Sequence, residues 1–215
     1  MSRFDTAALL FDMDGTLIDS TGAVVIAWTR LCERYGLDPE ALLAVAHGVP
    51  ARATIAKFLP EREWDAAFAW IEEAESTLLD GVVAIPGAAE LVRQLNAGSA
   101  PWAVVTSATP RLAHARLGAA GIELPDRLIT ADMVTHGKPS PDAYLLAAEQ
   151  LGVEARDCIV VEDAPAGIRA GLAAGATVVV RGPHGGDEAH GLLEIADFAE
   201  TVLDGTGPRV RGRWR

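Results

Sequence analysis

Asp12 and Asp14 stand one residue apart at the end of the apolar run Leu9-Leu10-Phe11, and Gly15-Thr16 follows at once. In an extended segment residues i and i+2 face the same way, so both carboxylates can serve one site. Like charges crowded into a buried place demand a cation or a shared proton. A second acidic pair, Glu162-Asp163, closes another apolar run and is followed by Ala164-Pro165-Ala166-Gly167. Between them, Thr106-Ser107 ends a third run, and either hydroxyl could bind phosphate. Lys138 sits in the rigid segment Gly137-Lys138-Pro139-Ser140-Pro141. There an ammonium and a helix start together suit an anion. Each signal alone is an ordinary turn or solvated side chain. Together they set acids, hydroxyl, lysine and acids at successive strand ends, where open α/β sheets bind ligands.

The elements that must position them are legible from patterning. Residues 7–12, 102–106, 158–162 and 177–181 are short, β-branched, near-continuous apolar runs, as buried parallel strands are; 127–131 is a weaker one. Helices are expected over 87–95, 110–117, 140–151 (Ser140 as cap, Pro141 first) and 165–174. Strand and helix in alternation predict an α/β fold, a doubly wound parallel sheet of Rossmann-like type. Residues 20–80 break the alternation. Val24, Trp28, Leu31 and Tyr35 recur at helical spacing, as do Trp64, Phe68, Ile71 and Leu78. Glu61, Glu63, Asp65, Glu72 and Glu73 are expected mostly on the other, solvated face of the second helix. The expected organisation is a catalytic core of 1–19 and 81–215 with an inserted helical cap at 20–80, lying over the strand end from which it departs.

Composition narrows the classes. The 215 residues are half hydrophobic and carry a formal charge of −12, which supports a sizeable core and argues against nucleic acid or an anionic membrane as partner. Cys32 and Cys158 each lie in an apolar segment, as buried thiols in a reducing cytoplasm do. No signal peptide is read at the start, Met1 to Asp5 running straight into the first strand, and no run approaches a membrane span. The basic stretch 209–215 is expected to be a frayed, solvated end. His114, His136, His184 and His190 lack ligand-like spacing and are expected at the surface.

Over nearly its whole length the chain resembles the haloacid dehalogenase superfamily of phosphohydrolases. Asp12-Met13-Asp14-Gly15-Thr16 is similar to its first motif, Thr106 to its second, Lys138 to its third and Glu162-Asp163 to its fourth, and the insert to its small α-helical cap. Ala46-His47-Gly48, Ala56-Lys57-Phe58 and Val105-Thr106-Ser107 further resemble the sugar-phosphate and glycerol-phosphate phosphatases of this group. The resemblance implies magnesium as cofactor, held by Asp12, the Asp14 backbone carbonyl and Asp163, with Glu162 in or just behind that shell. It implies attack on phosphorus by Asp12, with Asp14 as general acid and then base. Lys138 and Thr106 would neutralise and orient the phosphoryl oxygens, with Ser107 beside them, and Gly15 would turn the backbone close to the ligand.

In the cap, His47 with Gly48 and then Arg52 are the candidates for contact with the leaving group, although Val49-Pro50 follows where related phosphatases tend to carry a basic residue. The expected partner is a small phosphorylated metabolite, a sugar or polyol phosphate, and the expected working unit a monomer. The nearest alternative is a phosphomutase of the β-phosphoglucomutase type, whose cap histidine is matched here by Val24. A phospho-receiver signalling domain uses similar acids, but has no insert of this size after its first strand.

Overall fold

The computed structural model describes residues 2–46, 49–182, 187–205 and 207–214. In chain order the elements begin β1 (Ser2–Thr6), β2 (Ala8–Phe11) and β3 (Ile18–Asp19), then α1 (Thr21–Tyr35), α2 (Pro39–Ala46), α3 (Ala51–Phe58) and α4 (Trp64–Thr77). β4 (Val83–Ala84), α5 (Ala88–Ala97), β5 (Trp102–Val105), α6 (Pro110–Ala119), β6 (Leu128–Ile129) and α7 (Asp142–Leu151) follow. The chain closes with β7 (Cys158–Glu162), α8 (Pro165–Ala173), β8 (Thr177–Arg181), β9 (Leu193–Ile195), β10 (Val202–Gly205) and β11 (Val210–Trp214).

Six strands form one parallel sheet in the order β6-β5-β2-β7-β8-β9. All four residues of β2 are buried because both faces are covered. Alternate side chains divide between two cores. Leu9 and Phe11 pack with Leu91, Val92, Leu112 and Leu117 of α5 and α6. Ala8 and Leu10 pack with Tyr144, Ala147, Ile168 and Ala170 of α7 and α8. This is the doubly wound arrangement expected from the sequence. β2 lies between β5 and β7, so the chain steps to one side of β2 and later to the other, and the strand ends at that reversal form the natural crevice.

The helical insert α1–α4 has a third core of its own, built on Trp28, Leu31, Leu42, Ile55 and Ile71. It hangs from a two-stranded antiparallel ribbon in which Ile18 pairs with Ala84 and Asp19 with Val83. Both passages between core and insert therefore run side by side. Helix α7 begins one residue later than expected, with Pro141 in the cap position; Ser140 Oγ bonds the Asp142 carboxylate at 2.6 Å rather than capping a helix at Pro141.

Two readings at the termini are corrected. Residues 2–6 do not run into the central strand; β1 belongs to a separate antiparallel sheet, order β1-β11-β10. The basic end is not frayed, because β11 pairs with β1 over five positions from Ser2–Trp214 to Thr6–Val210. Its charge is met locally: Arg209 and Arg211 pair with Asp5, and Arg213 with Asp204. Val210 and Trp214 face inward. Trp214 stacks on Phe4 at 4.6 Å and meets Phe198, which meets Phe11 of the central strand edge-on at 5.9 Å. The small sheet is thus fastened to the main core by an aromatic chain. Trp214→Ala should lower unfolding free energy by about 3–5 kcal/mol in urea titration, the usual loss for a buried aromatic, with kcat unchanged at a temperature where the variant is folded.

Candidate active site

After β2 the backbone coils tightly. The Met13 carbonyl accepts from the N–H groups of Leu17 (2.9 Å) and Ile18 (3.1 Å), while the Gly15 N–H donates to the Ile18 carbonyl at 2.7 Å. Gly15 has φ +81°, and a Cβ there would lie 2.0 Å from Asp163 Oδ2. Only glycine allows the fourth-motif acid to come this close to the first.

Asp12, Lys138, Glu162 and Asp163 converge at the ends of β2 and β7. Lys138, 3% exposed, uses all three donors: to Asp12 Oδ1 (2.5 Å), Glu162 Oε1 (2.6 Å) and the Val105 carbonyl (2.9 Å). Burial disfavours its charge, but the two carboxylates outweigh burial and raise its pKa. Glu162 is still more enclosed. Oε1 also accepts from the Tyr144 hydroxyl at 2.6 Å, and Oε2 accepts the backbone N–H groups of Asp163 and Ala164. Helix α8 approaches it so closely that a Cβ on Gly167 would lie 1.8 Å from Oε1. Asp163 Oδ1 accepts from Thr16 Oγ1 at 3.4 Å.

One oxygen from each of Asp12, Glu162 and Asp163 falls within 4.8 Å of the others. Three carboxylates against one ammonium leave uncompensated negative charge. Burial first, then the Glu162 carboxylate, pushes the Asp12 pKa well up, with Lys138 opposing. The same two causes raise Asp163 to about 7, opposed by Arg181 and Lys138. Hard oxygen donors with net negative charge suit a divalent cation such as Mg²⁺, which one oxygen each of Asp12, Glu162 and Asp163 could hold.

Above the acids is a cavity of about 560 Å³ between core and insert, lined by Asp12, Asp14, Thr106 and Ser107 from the core. Thr106 Oγ1 is held by the Ala108 N–H at 3.1 Å. Lys138 does not line the cavity; it lies behind Asp12. Arg52 does line it, with its guanidinium 4.2 Å above the Phe68 ring and 3.0 Å from Asp65. His47 and Gly48 lie outside the described residues. Their neighbours Ala46, Val49 and Pro50 all line the cavity, as does Val24. His114, His136 and His190 are exposed as expected, and His184 lies outside the described residues.

A model of the haloacid dehalogenase-like hydrolases matches residues 6–175. The chain belongs to that family. It is 46% identical over 173 residues to hexitol phosphatase A of Escherichia coli, covering 79% of this chain and 80% of the relative. Against glycerol-1-phosphate phosphohydrolase 2 of Saccharomyces cerevisiae the identity is 37% over 188 residues, covering 80% and 73%. Among solved structures, CbbY of Rhodobacter sphaeroides in complex with phosphate superposes with a TM-score of 0.78 at 26% identity, covering 91% of this chain and 96% of that one.

The structure of this hydrolase adds groups that sequence reading passed over. Tyr144 supports Glu162. Arg116, Glu75 and Ser20 surround Asp14: Arg116 Nη1 donates to Asp14 Oδ1 at 2.9 Å, Arg116 Nη2 to Glu75 Oε1 at 2.9 Å, and Ser20 Oγ to Asp14 Oδ1 at 2.6 Å. A signal was present. Arg116 falls on the buried stripe Leu112-Ala113-Leu117, and Glu75 on the stripe Ala67-Ile71, and charges at such positions need partners. The α4 acids also depart from expectation: Glu72 hydrogen-bonds Thr109, and Glu73 pairs with Arg111 at 2.6 Å, so both meet the core rather than only water.

The charge imbalance has a measurable consequence. With no metal, native Asp163 keeps its proton up to about pH 7 while the unfolded acid releases it near 3.8, so the native chain holds more protons between these values. Stability therefore falls as pH rises through that window, and cation binding offsets the fall. Mg²⁺ should raise Tm in thermal denaturation, by more at about pH 8 than at about pH 5. Asp163→Asn should lose most of the Mg²⁺-induced shift. An equal shift at both pH values, or none in the parent protein, would contradict this account.

Proposed function

We propose that this hydrolase cleaves a small phosphate monoester, a sugar or polyol phosphate, through an aspartyl-phosphate on Asp12. The observation that carries the reading is the buried Asp12–Lys138–Glu162 array, with Asp163 beside it, opening onto a cavity whose far wall is the helical insert. Asp12 attacks phosphorus in line as the ester P–O bond breaks, which divides one difficult hydrolysis into two easier steps. Lys138 holds Asp12 Oδ1, so that the second oxygen faces the ester. Thr106 and Ser107, at the end of β5, orient the phosphoryl oxygens, with Gly15 keeping the backbone close. Asp14 protonates the departing alkoxide oxygen and then takes a proton from the water that opens the acyl phosphate.

Mg²⁺ fits the donors present. Asp12, Asp163 and the Asp14 carbonyl would hold it, with Glu162 acting from behind through Lys138, and bound Mg²⁺ would neutralise phosphoryl charge. The insert serves as a cap that contacts what lies beyond phosphorus. Trp28, Phe68 and Pro50 give that space an apolar floor for a carbon chain, while Arg52, Glu72 and Thr109 offer groups that hydroxyls can bond. Hexitol and glycerol phosphates, the compounds for which the two curated relatives are named, have this chemistry. A single chain supplies every one of these groups, which supports a monomer as the working unit.

Val24 in the cavity wall leaves an apolar group where the mutase alternative calls for a cap histidine. Purified protein with Mg²⁺ should release inorganic phosphate from members of a panel of hexitol, hexose and glycerol phosphates. Asp12→Asn should lower release roughly a thousandfold or more with unchanged circular dichroism. Conversion of β-glucose 1-phosphate to glucose 6-phosphate without phosphate release would replace hydrolysis by the mutase reaction. Substantial turnover by a folded Asp12→Asn protein would exclude the covalent route.

A further inference from the structure

Beside the Asp12 array lies a second buried charge network, which runs from core to insert. Arg116 is on α6, 3% exposed, with one terminal nitrogen on Asp14 and the other on Glu75 of α4. Glu75 Oε1 also accepts from the Trp28 indole of α1 at 3.2 Å, so its place is set by two insert helices. Arg116 Nε is buried and has no hydrogen-bond partner among the described residues. A buried guanidinium with one donor unpaired is a poor way to stabilise a helix stripe, since an apolar residue of similar size avoids both costs. The arrangement makes sense if the two terminal nitrogens do something that leucine could not.

Among the described residues both side-chain partners of the Asp14 carboxylate, Arg116 Nη1 and Ser20 Oγ, bind Oδ1. That fixes the carboxylate plane and leaves Oδ2 as the oxygen that handles a proton, on a residue that lines the cavity. We propose that Arg116 is a positioning residue for Asp14, and that Glu75 makes this positioning depend on the insert being seated against the core. The inference rests on the phosphatase reading above. In the first step Asp14 gives its proton to the leaving oxygen as that oxygen parts from phosphorus. In the second it takes a proton from water as the water oxygen bonds phosphorus and the Asp12–phosphorus link breaks. An insert swung away would take Glu75 with it, leaving Arg116 with one anchor and Asp14 loosely held. Water reaching an open site would then meet a poorly aimed base.

Leaving-group dependence separates this role from a structural one. An aryl phosphate departs without protonation, whereas a sugar phosphate needs the acid. With p-nitrophenyl phosphate, Arg116→Met should show a burst of nitrophenolate approaching one per site, then steady turnover lowered roughly tenfold or more, because only the second step still needs Asp14. With 2-deoxyglucose 6-phosphate it should show no burst, and kcat should fall roughly tenfold or more while KM stays within about threefold. Arg116→Lys should restore part of the rate, and Glu75→Gln should give the same pattern in weaker form. Parallel losses on both esters with no burst would reduce Arg116 to a structural tie and overturn the proposal. If Arg116→Met does not fold, Glu75→Gln decides: parent-like kinetics on both esters overturns it. A parent protein that releases phosphate from neither ester defeats the phosphatase reading, and this proposal with it. A parent that turns over both, with variants indistinguishable from it, defeats the proposal alone.

Discussion

The structure is organised around one electrostatic problem: three carboxylates brought within a few ångströms of one another at the ends of β2 and β7, with a single buried ammonium between them. A parallel sheet makes the crowding possible, because β2 and β7 are neighbours in register, with Phe11 opposite Val161. The acids that follow each strand therefore emerge side by side. Lys138 relieves part of the repulsion, and the Val105 carbonyl from the adjacent strand takes its third donor. Tyr144, two backbone N–H groups and the close approach of α8 at Gly167 then hold Glu162 in place. Removing Lys138 would leave Asp12 and Glu162 buried without their cation, which costs more than the pair itself contributes.

The residual negative charge explains both the fit for a divalent cation and the chemistry proposed for Asp12. The crowded carboxylates oppose one another's ionisation, and a bound cation would favour their charged forms. The seam between α4 and α6 adds a second condition. Glu72, Glu73 and Glu75 meet Thr109, Arg111 and Arg116 along it, so the helix that walls the cavity is also the helix that anchors the arginine on Asp14. The wall of the cavity and the hold on Asp14 are thus tied to the same contact.

Much of this was legible in the amino-acid order, and the rest was not for identifiable reasons. The buried strands announced themselves as β-branched runs because both faces of the sheet are covered, and three of the four motifs stood at their ends, Lys138 lying further on, in the segment between β6 and α7. The small sheet went unread because Arg209, Arg211 and Arg213 make its last strand look like a solvated basic tail. Yet Val210, Gly212 and Trp214 alternate with them and turn inward. Arg116 and Glu75 lie 41 positions apart on different helices, and no local pattern pairs them. What could be read was only that each charge sat on a buried stripe. Helical periodicity places the α4 acids mostly toward solvent, because it sees one helix and not the α6 surface opposite it.

In the proposed reaction the phosphoryl group resides on Asp12 during turnover. Rapid acid quench of enzyme mixed with excess substrate and Mg²⁺, followed by proteolysis and mass spectrometry, tests it directly. The peptide containing Asp12 should carry one phosphoryl group within a turnover and lose it once substrate is exhausted, and Asp12→Asn should never acquire it. Steady phosphate release with every quenched peptide unmodified would exclude the aspartyl-phosphate and leave direct attack by water as the chemistry of this site.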